Sequence, residues 1–121
     1  MVIRPSSTPL GGGETCGGEV ELLGCQSGVI GAFESMVYET GVFTFAPGDM
    51  LFMYTDGTIE ARDRTGAFFG EQRLRDLLLS VSGEGVSGIC GKVLGELDRF
   101  TESALDDDIA LVSLEFLRGR L

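Results

Sequence analysis

Two acidic sites stand out in this chain by position rather than by number. Asp56 follows Met50-Leu51-Phe52-Met53-Tyr54, the most hydrophobic candidate strand, and Asp107 sits inside Asp106-Asp107-Asp108, just ahead of the apolar run that opens at Ile109. Short apolar runs bounded by turn residues are the pattern of buried strands. Were both runs strands of one sheet, with the relevant ends at one edge, the two carboxylates would converge at its rim. Carboxylate oxygens are the donors that hard cations such as Mg²⁺ and Mn²⁺ favour. Two such cations sharing a water provide an in-line nucleophile for phosphate monoester hydrolysis without a covalent intermediate. A plainer reading stands beside this one. Asp-Gly after a strand is a common hairpin dipeptide, so Asp56-Gly57 can be only a turn, and three consecutive aspartates can be only a solvated loop.

The remaining composition narrows the chemistry. The chain has no histidine, which removes Ser-His-Asp and Cys-His catalysis and imidazole metal ligands. Its three cysteines, Cys16, Cys25 and Cys90, include no C-x-x-C pair, so a disulfide framework and a structural zinc site are poorly supported and a reducing compartment fits better. Nineteen acidic against nine basic residues give a formal charge of −10, which repels phosphate backbones and argues against nucleic acid as a partner. No apolar run reaches the roughly 18 to 20 residues that span a bilayer, and the first ten residues lack the apolar centre of a signal peptide. A single domain in the cytoplasm, with no membrane span, is the expectation. Gly11-Gly12-Gly13 hints at a phosphate cradle, but no Gly-Lys-Ser/Thr follows it.

The elements that would position the two aspartates read as follows. Residues 1–18, rich in glycine, proline, serine and threonine, have the composition of a loop. Glu19 to Leu23 reads as a short strand. Val42-Phe43-Thr44-Phe45 reads as another, paired antiparallel with Met50–Tyr54 across the Ala46-Pro47-Gly48-Asp49 turn. The near-continuous apolar run Met50–Tyr54 predicts a strand buried on both faces. Then the period changes. Leu74, Leu77, Leu78 and Val81 fall at i, i+3, i+4 and i+7, predicting a helix from near Gly70. Val86, Ile89, Cys90, Val93, Leu94 and Leu97 mark a second helix, with Ser82 or Ser87 as candidate caps and with Gly91 and Gly95 spaced to admit a close neighbour. Ile109 to Phe116 returns as a strand. Strands, two helices and a returning strand predict an α+β architecture of layered antiparallel sheets with two packed helices.

Taken together, these segments resemble a known family. Pro47-Gly48-Asp49-Met50-Leu51-Phe52-Met53-Tyr54-Thr55-Asp56-Gly57-Thr58-Ile59-Glu60-Ala61 is similar to the P-G-D-x-L-x-x-Y-T-D-G-x-x-E-A segment of SpoIIE-like phosphatases, the bacterial branch of the PPM, or type 2C, protein phosphatases. Phe69-Gly70 with Leu74 resembles that family's F-G-x-x-x-L element, and Asp107-Asp108-Ile109-Ala110-Leu111-Val112 its closing D-D-I-T-L-L strand. Gly28-Val29-Ile30-Gly31 and the Tyr38 region match a weaker G-x-x-x-G…Y segment. Order and spacing agree from about residue 19 to residue 117.

The resemblance implies a metal-dependent serine/threonine protein phosphatase using Mn²⁺ or Mg²⁺. Asp56 and Asp107 would be its metal-binding, catalytic carboxylates. Asp108 and Thr55 would support them, and Gly57 would permit the tight turn presenting Asp56. Asp49 and Glu60 would support the turn and its flank. The substrate class would be a phosphorylated protein, of the anti-sigma-factor-antagonist kind. Two departures matter. The family's earlier aspartate-glycine motif, which bridges both metals, has no counterpart here, and no histidine stands where a G-H-x-P-P segment would fall. The expectation is therefore a partial domain, roughly the second half of a β-sandwich. Its exposed apolar faces would be covered by a homodimer partner or a separate first half, or would make it a catalytically incomplete interaction module.

Overall fold

The computed structural model describes residues 1–4, 18–24 and 30–119. Four strands form one antiparallel sheet: β1 (Val2–Arg4), β2 (Glu19–Glu21), β3 (Met50–Tyr54) and β4 (Leu111–Glu115), in the order β2-β1-β3-β4. Three α-helices, the four-residue α1 (Asp56–Ile59), α2 (Gly70–Val81) and α3 (Ile89–Thr101), and a 3₁₀ turn at Val86–Gly88 complete the described elements. The architecture is α+β, as the alternation of periods predicts.

The registers explain which side chains meet. Ile3 lies opposite both Val20 and Met50, so these three share a face with Phe52, two residues further along β3. That face receives the helical stripes. Leu74, Leu78 and Val81 of α2 and Ile89, Val93 and Leu97 of α3 join Ile3, Val20, Met50 and Phe52 in one buried cluster. Full burial of side chains this size stabilises by about 1.5 to 3 kcal/mol each, so the stripe offsets the low helical propensity of the glycines in α3.

Several expectations are corrected. Residues 2–4 are a strand rather than loop, because Val2 and Ile3 are β-branched apolar residues that precede the glycine- and proline-rich stretch; residues 5–17, with the triple glycine and Cys16, lie outside the described residues, as does Cys25. Val42–Phe45 forms no strand. Both edges of β3 are already occupied, by β1 and by β4, which leaves no ladder for it to join. Its aromatic rings are used differently: Phe45 stacks on Phe116 at 3.9 Å between centroids, and the Arg4 guanidinium lies over Phe43. The 46–49 turn does form, with Gly48 at φ +94° and the Asp49 amide donating to the Ala46 carbonyl at 3.0 Å.

β3 is buried on one face, not two. Leu51 is half-buried and Met53 is exposed; they lie opposite Leu114 and Val112 on the side away from the helices. The second helical stripe is real but starts through a 3₁₀ turn at Val86–Gly88, and neither Ser82 nor Ser87 caps it; Gly88 holds that position. The Ser82 hydroxyl instead donates to the Leu79 carbonyl at the end of α2. A Cβ added at Gly91 or Gly95 would meet nothing within 4 Å, so those glycines serve no close approach.

Candidate functional site

Antiparallel pairing of Tyr54 with Leu111 brings the end of β3 and the beginning of β4 to one rim of the sheet. The pairing runs one step further, with the Thr55 amide donating to the Ala110 carbonyl at 3.2 Å. Beyond it β3 turns into α1, so Asp56 opens a helical turn instead of a hairpin. The preceding residue has extended backbone and the next three are helical, which aims Asp56 outward at the rim while Gly57 and Thr58 turn inward and are buried. On the facing segment Asp107, Asp108 and Ile109 descend into β4.

Gly57 is where the two segments touch. A Cβ there would sit 2.6 Å from the Asp108 carbonyl oxygen and 3.5 Å from Oδ2 of Asp107. The first distance is a clash no real side chain sustains. Gly57 is required for this close approach; its φ lies outside the left-handed region, so it is not serving the tight turn anticipated from the dipeptide. Asp107 is oriented from its other oxygen: Oδ1 accepts the Asp108 amide at 2.8 Å, which leaves Oδ2 toward Gly57. Thr55 spans the same gap. Its hydroxyl accepts the Ala110 amide at 3.1 Å and donates to the Asp108 carbonyl at 3.5 Å.

The other acids nearby divide by position. Asp49 is buried at the opposite end of β3, accepting the Ala46 amide at 2.8 Å and the Arg4 Nε at 3.4 Å, so it closes the 46–49 turn. Glu60 is exposed, and its amide completes the α1 turn on the Asp56 carbonyl at 2.9 Å. Glu71, in the first turn of α2, was not singled out from sequence; its only signal there was an acidic residue directly after Phe69-Gly70. It shares with Asp56 a cleft of about 360 Å³ that Tyr54, Leu51, Met53 and Ile59 also line. Burial, then the negative charges of Glu71 and Asp56, push the Tyr54 phenol above its ordinary pKa.

The rim suits a hard cation in donor type. Asp56 and Asp107 offer carboxylate oxygens, and the glycine at 57 lets the Asp107 carboxylate lie against the turn that carries Asp56. Two carboxylates supply part of an octahedral oxygen shell. Among the described residues, no three acidic or thiol side chains come together as a larger cation-binding group. Nor, among them, is any helix long and apolar enough to cross a membrane.

Comparison with known proteins bears on the family and the fold. Residues 14–117 match the family described as Stage II sporulation protein E (SpoIIE). A curated relative, protein IcfG of Synechocystis sp. (strain ATCC 27184 / PCC 6803 / Kazusa), is 32% identical over 88 residues, covering 70% of this chain and 13% of the relative. Among solved structures, the fold resembles the phosphatase domain of the cell fate determinant SpoIIE from Bacillus subtilis (Mn presoaked), with a TM-score of 0.52 and 19% identity over 79% of this chain and 42% of that one. The chain thus spans under half of the solved domain and about an eighth of the curated relative.

Proposed function

Because this chain belongs to the SpoIIE family, we propose that it forms part of a metal-dependent PPM-type phosphatase domain that hydrolyses phosphoserine or phosphothreonine in a cytoplasmic protein substrate. A phosphorylated anti-sigma-factor antagonist is the substrate kind this reading favours. The observation that carries it is the β3–β4 rim, where the segments bearing Asp56 and Asp107 approach so closely that only glycine fits at 57.

In this reading Asp56 and Asp107 hold Mn²⁺ or Mg²⁺ through their carboxylates. When bound, such cations supply an acidified water and positive charge against phosphoryl oxygens. The chain's own residues provide the frame. Asp107 is steered by the Asp108 amide, Thr55 ties the two segments, and Glu71 adds a further carboxylate to the open cleft beside Asp56.

The test is Mn²⁺ calorimetry on the chain and on its Asp56→Asn and Asp107→Asn variants, paired with hydrolysis of a phosphoserine peptide. Weaker Mn²⁺ binding in both variants is expected. Binding indifferent to both substitutions would remove the rim from the chemistry.

A second reading is favoured by the apolar side chains that Met53, Val112 and Leu114 expose on the sheet face away from the helices. It holds the chain to be a catalytically incomplete phosphatase portion that associates through that face, with a second copy or with a separate first half. Mass in solution tests the second-copy form of this reading: a monomer at every concentration counts against self-association.

A further inference from the structure

Thr55 stands at the N-cap of α1, where a threonine hydroxyl ordinarily accepts an amide of the helix's first turn. Here it makes no capping bond. The hydroxyl has turned across the rim instead, accepting the amide of Ala110 at 3.1 Å and reaching the carbonyl of Asp108 at 3.5 Å. One side chain on the Asp56 segment therefore holds both a donor and an acceptor on the Asp107 segment, on either side of Ile109. The main chain adds only the Thr55 amide on the Ala110 carbonyl before the two segments diverge. Gly57 shows what this registration achieves, since the Asp108 carbonyl lies 2.6 Å from where its Cβ would stand. Any slip of one segment along the other would open that contact and carry the Asp107 carboxylate away from the turn.

We infer that the Thr55 hydroxyl is a positioning group that sets the register between the Asp56 turn and the Asp107 segment, and that divalent-cation affinity at the rim depends on it. The dependence on cation binding rests on the phosphatase reading above; the registration itself does not. A hydroxyl released from capping for a cross-segment bond gives up a local stabilisation of the helix, which makes α1 the element that yields if the segments move.

The experiment compares the full chain with Thr55→Val, which keeps the shape and removes the hydroxyl, and Thr55→Ser, which keeps the hydroxyl. Three quantities are read: amide exchange at Ala110 without metal, Mn²⁺ affinity by calorimetry, and the thermal midpoint. For Thr55→Val, Ala110 exchange should quicken and Mn²⁺ affinity should fall, each by roughly three- to tenfold, the range for loss of one ordinary hydrogen bond. Thr55→Ser should restore both, even where its thermal midpoint is the lower of the two. That rescue separates registration from general stability. Unchanged exchange at Ala110 in Thr55→Val would overturn the registration. Faster exchange with unchanged Mn²⁺ affinity would overturn the link to the site. If the unsubstituted chain takes up no Mn²⁺, the phosphatase reading falls, and the exchange at Ala110 alone decides the clamp.

Discussion

The covered and open faces of the sheet are built from alternate residues of the same strands. On β3, Met50 and Phe52 face the helices at 2% and 0% exposure, while Met53, between Phe52 and Tyr54, points the other way at 44%. On β4 the side chains opposite that second face, Val112 and Leu114, are 45% and 46% exposed. An antiparallel sheet with one solvated side usually alternates apolar with polar residues. β2 keeps that rule, with Val20 inward and Glu19 and Glu21 outward, but on β3 and β4 the open side is nearly as apolar as the closed one. Burial is therefore decided by what packs against a residue, and hydrophobicity alone does not distinguish the faces. Buried polar side chains are not all satisfied: Asp49 and Thr101 find partners, whereas the Thr58 hydroxyl, fully buried behind the rim, has none among the described residues.

The strongest way to break this comparison is truncation on one strand. Phe52→Ala removes a side chain packed among both helices and should cost about 3 to 5 kcal/mol. Met53→Ala, one residue on, should cost no more than about 1 kcal/mol, because roughly half of its surface is never removed from water. Urea midpoints of the two variants measure the difference. Equal losses would mean that the open face is covered in solution.

Gly57→Ala comes next. The new Cβ must displace the Asp108 carbonyl, and overpacking of that kind costs about 1 to 3 kcal/mol. Its diagnostic feature is locality: amides from residue 107 to residue 110 should shift in an ¹⁵N spectrum while those of α3 hold. A uniform change would show that the rim is not an independent unit. Thr58→Val acts in the opposite direction. It replaces an unpartnered buried hydroxyl by a methyl of the same shape, and should stabilise by about 1 kcal/mol, raising the thermal midpoint by a few degrees. Destabilisation would mean that the hydroxyl has a partner in solution.

Much of this arrangement was legible in the residues. The i, i+3, i+4, i+7 stripe from Leu74 to Val81 matched α2, since a long pattern with one period leaves few alternatives, and the apolar runs before Asp56 and after Asp107, each bounded by turn residues, matched β3 and β4. Short or context-dependent features were not legible. Val2–Arg4 is too brief to show a period. Phe43 and Phe45 have strand-forming side chains, but whether they pair depends on free edges of β3, which is decided by residues far away in sequence. The same holds at the site. The types of Asp56 and Asp107 suggested a rim, but the reason for glycine at 57 is a carbonyl some fifty residues later, and the Thr55 hydroxyl forsakes its local cap for an amide equally distant. Local propensity anticipates what local bonds decide and misses what a distant partner redirects.

The smallest expected effect makes the sharpest comparison. Valine and threonine have the same shape and similar strand preference, so Val→Thr changes little besides polarity. Val20 lies on the covered face at 7% exposure and Val112 on the open one. Val20→Thr inserts a hydroxyl among apolar neighbours and should cost about 1 to 2 kcal/mol. Val112→Thr should leave the stability of the chain within about 0.5 kcal/mol, since water already reaches that site. Sedimentation of the second variant adds a separate reading. If copies of the chain associate through the open face, Val112→Thr lowers the associated fraction without moving the urea midpoint measured at high dilution. If both midpoint and fraction stay fixed, the open face makes no contact between copies, and its apolar residues await a different cover.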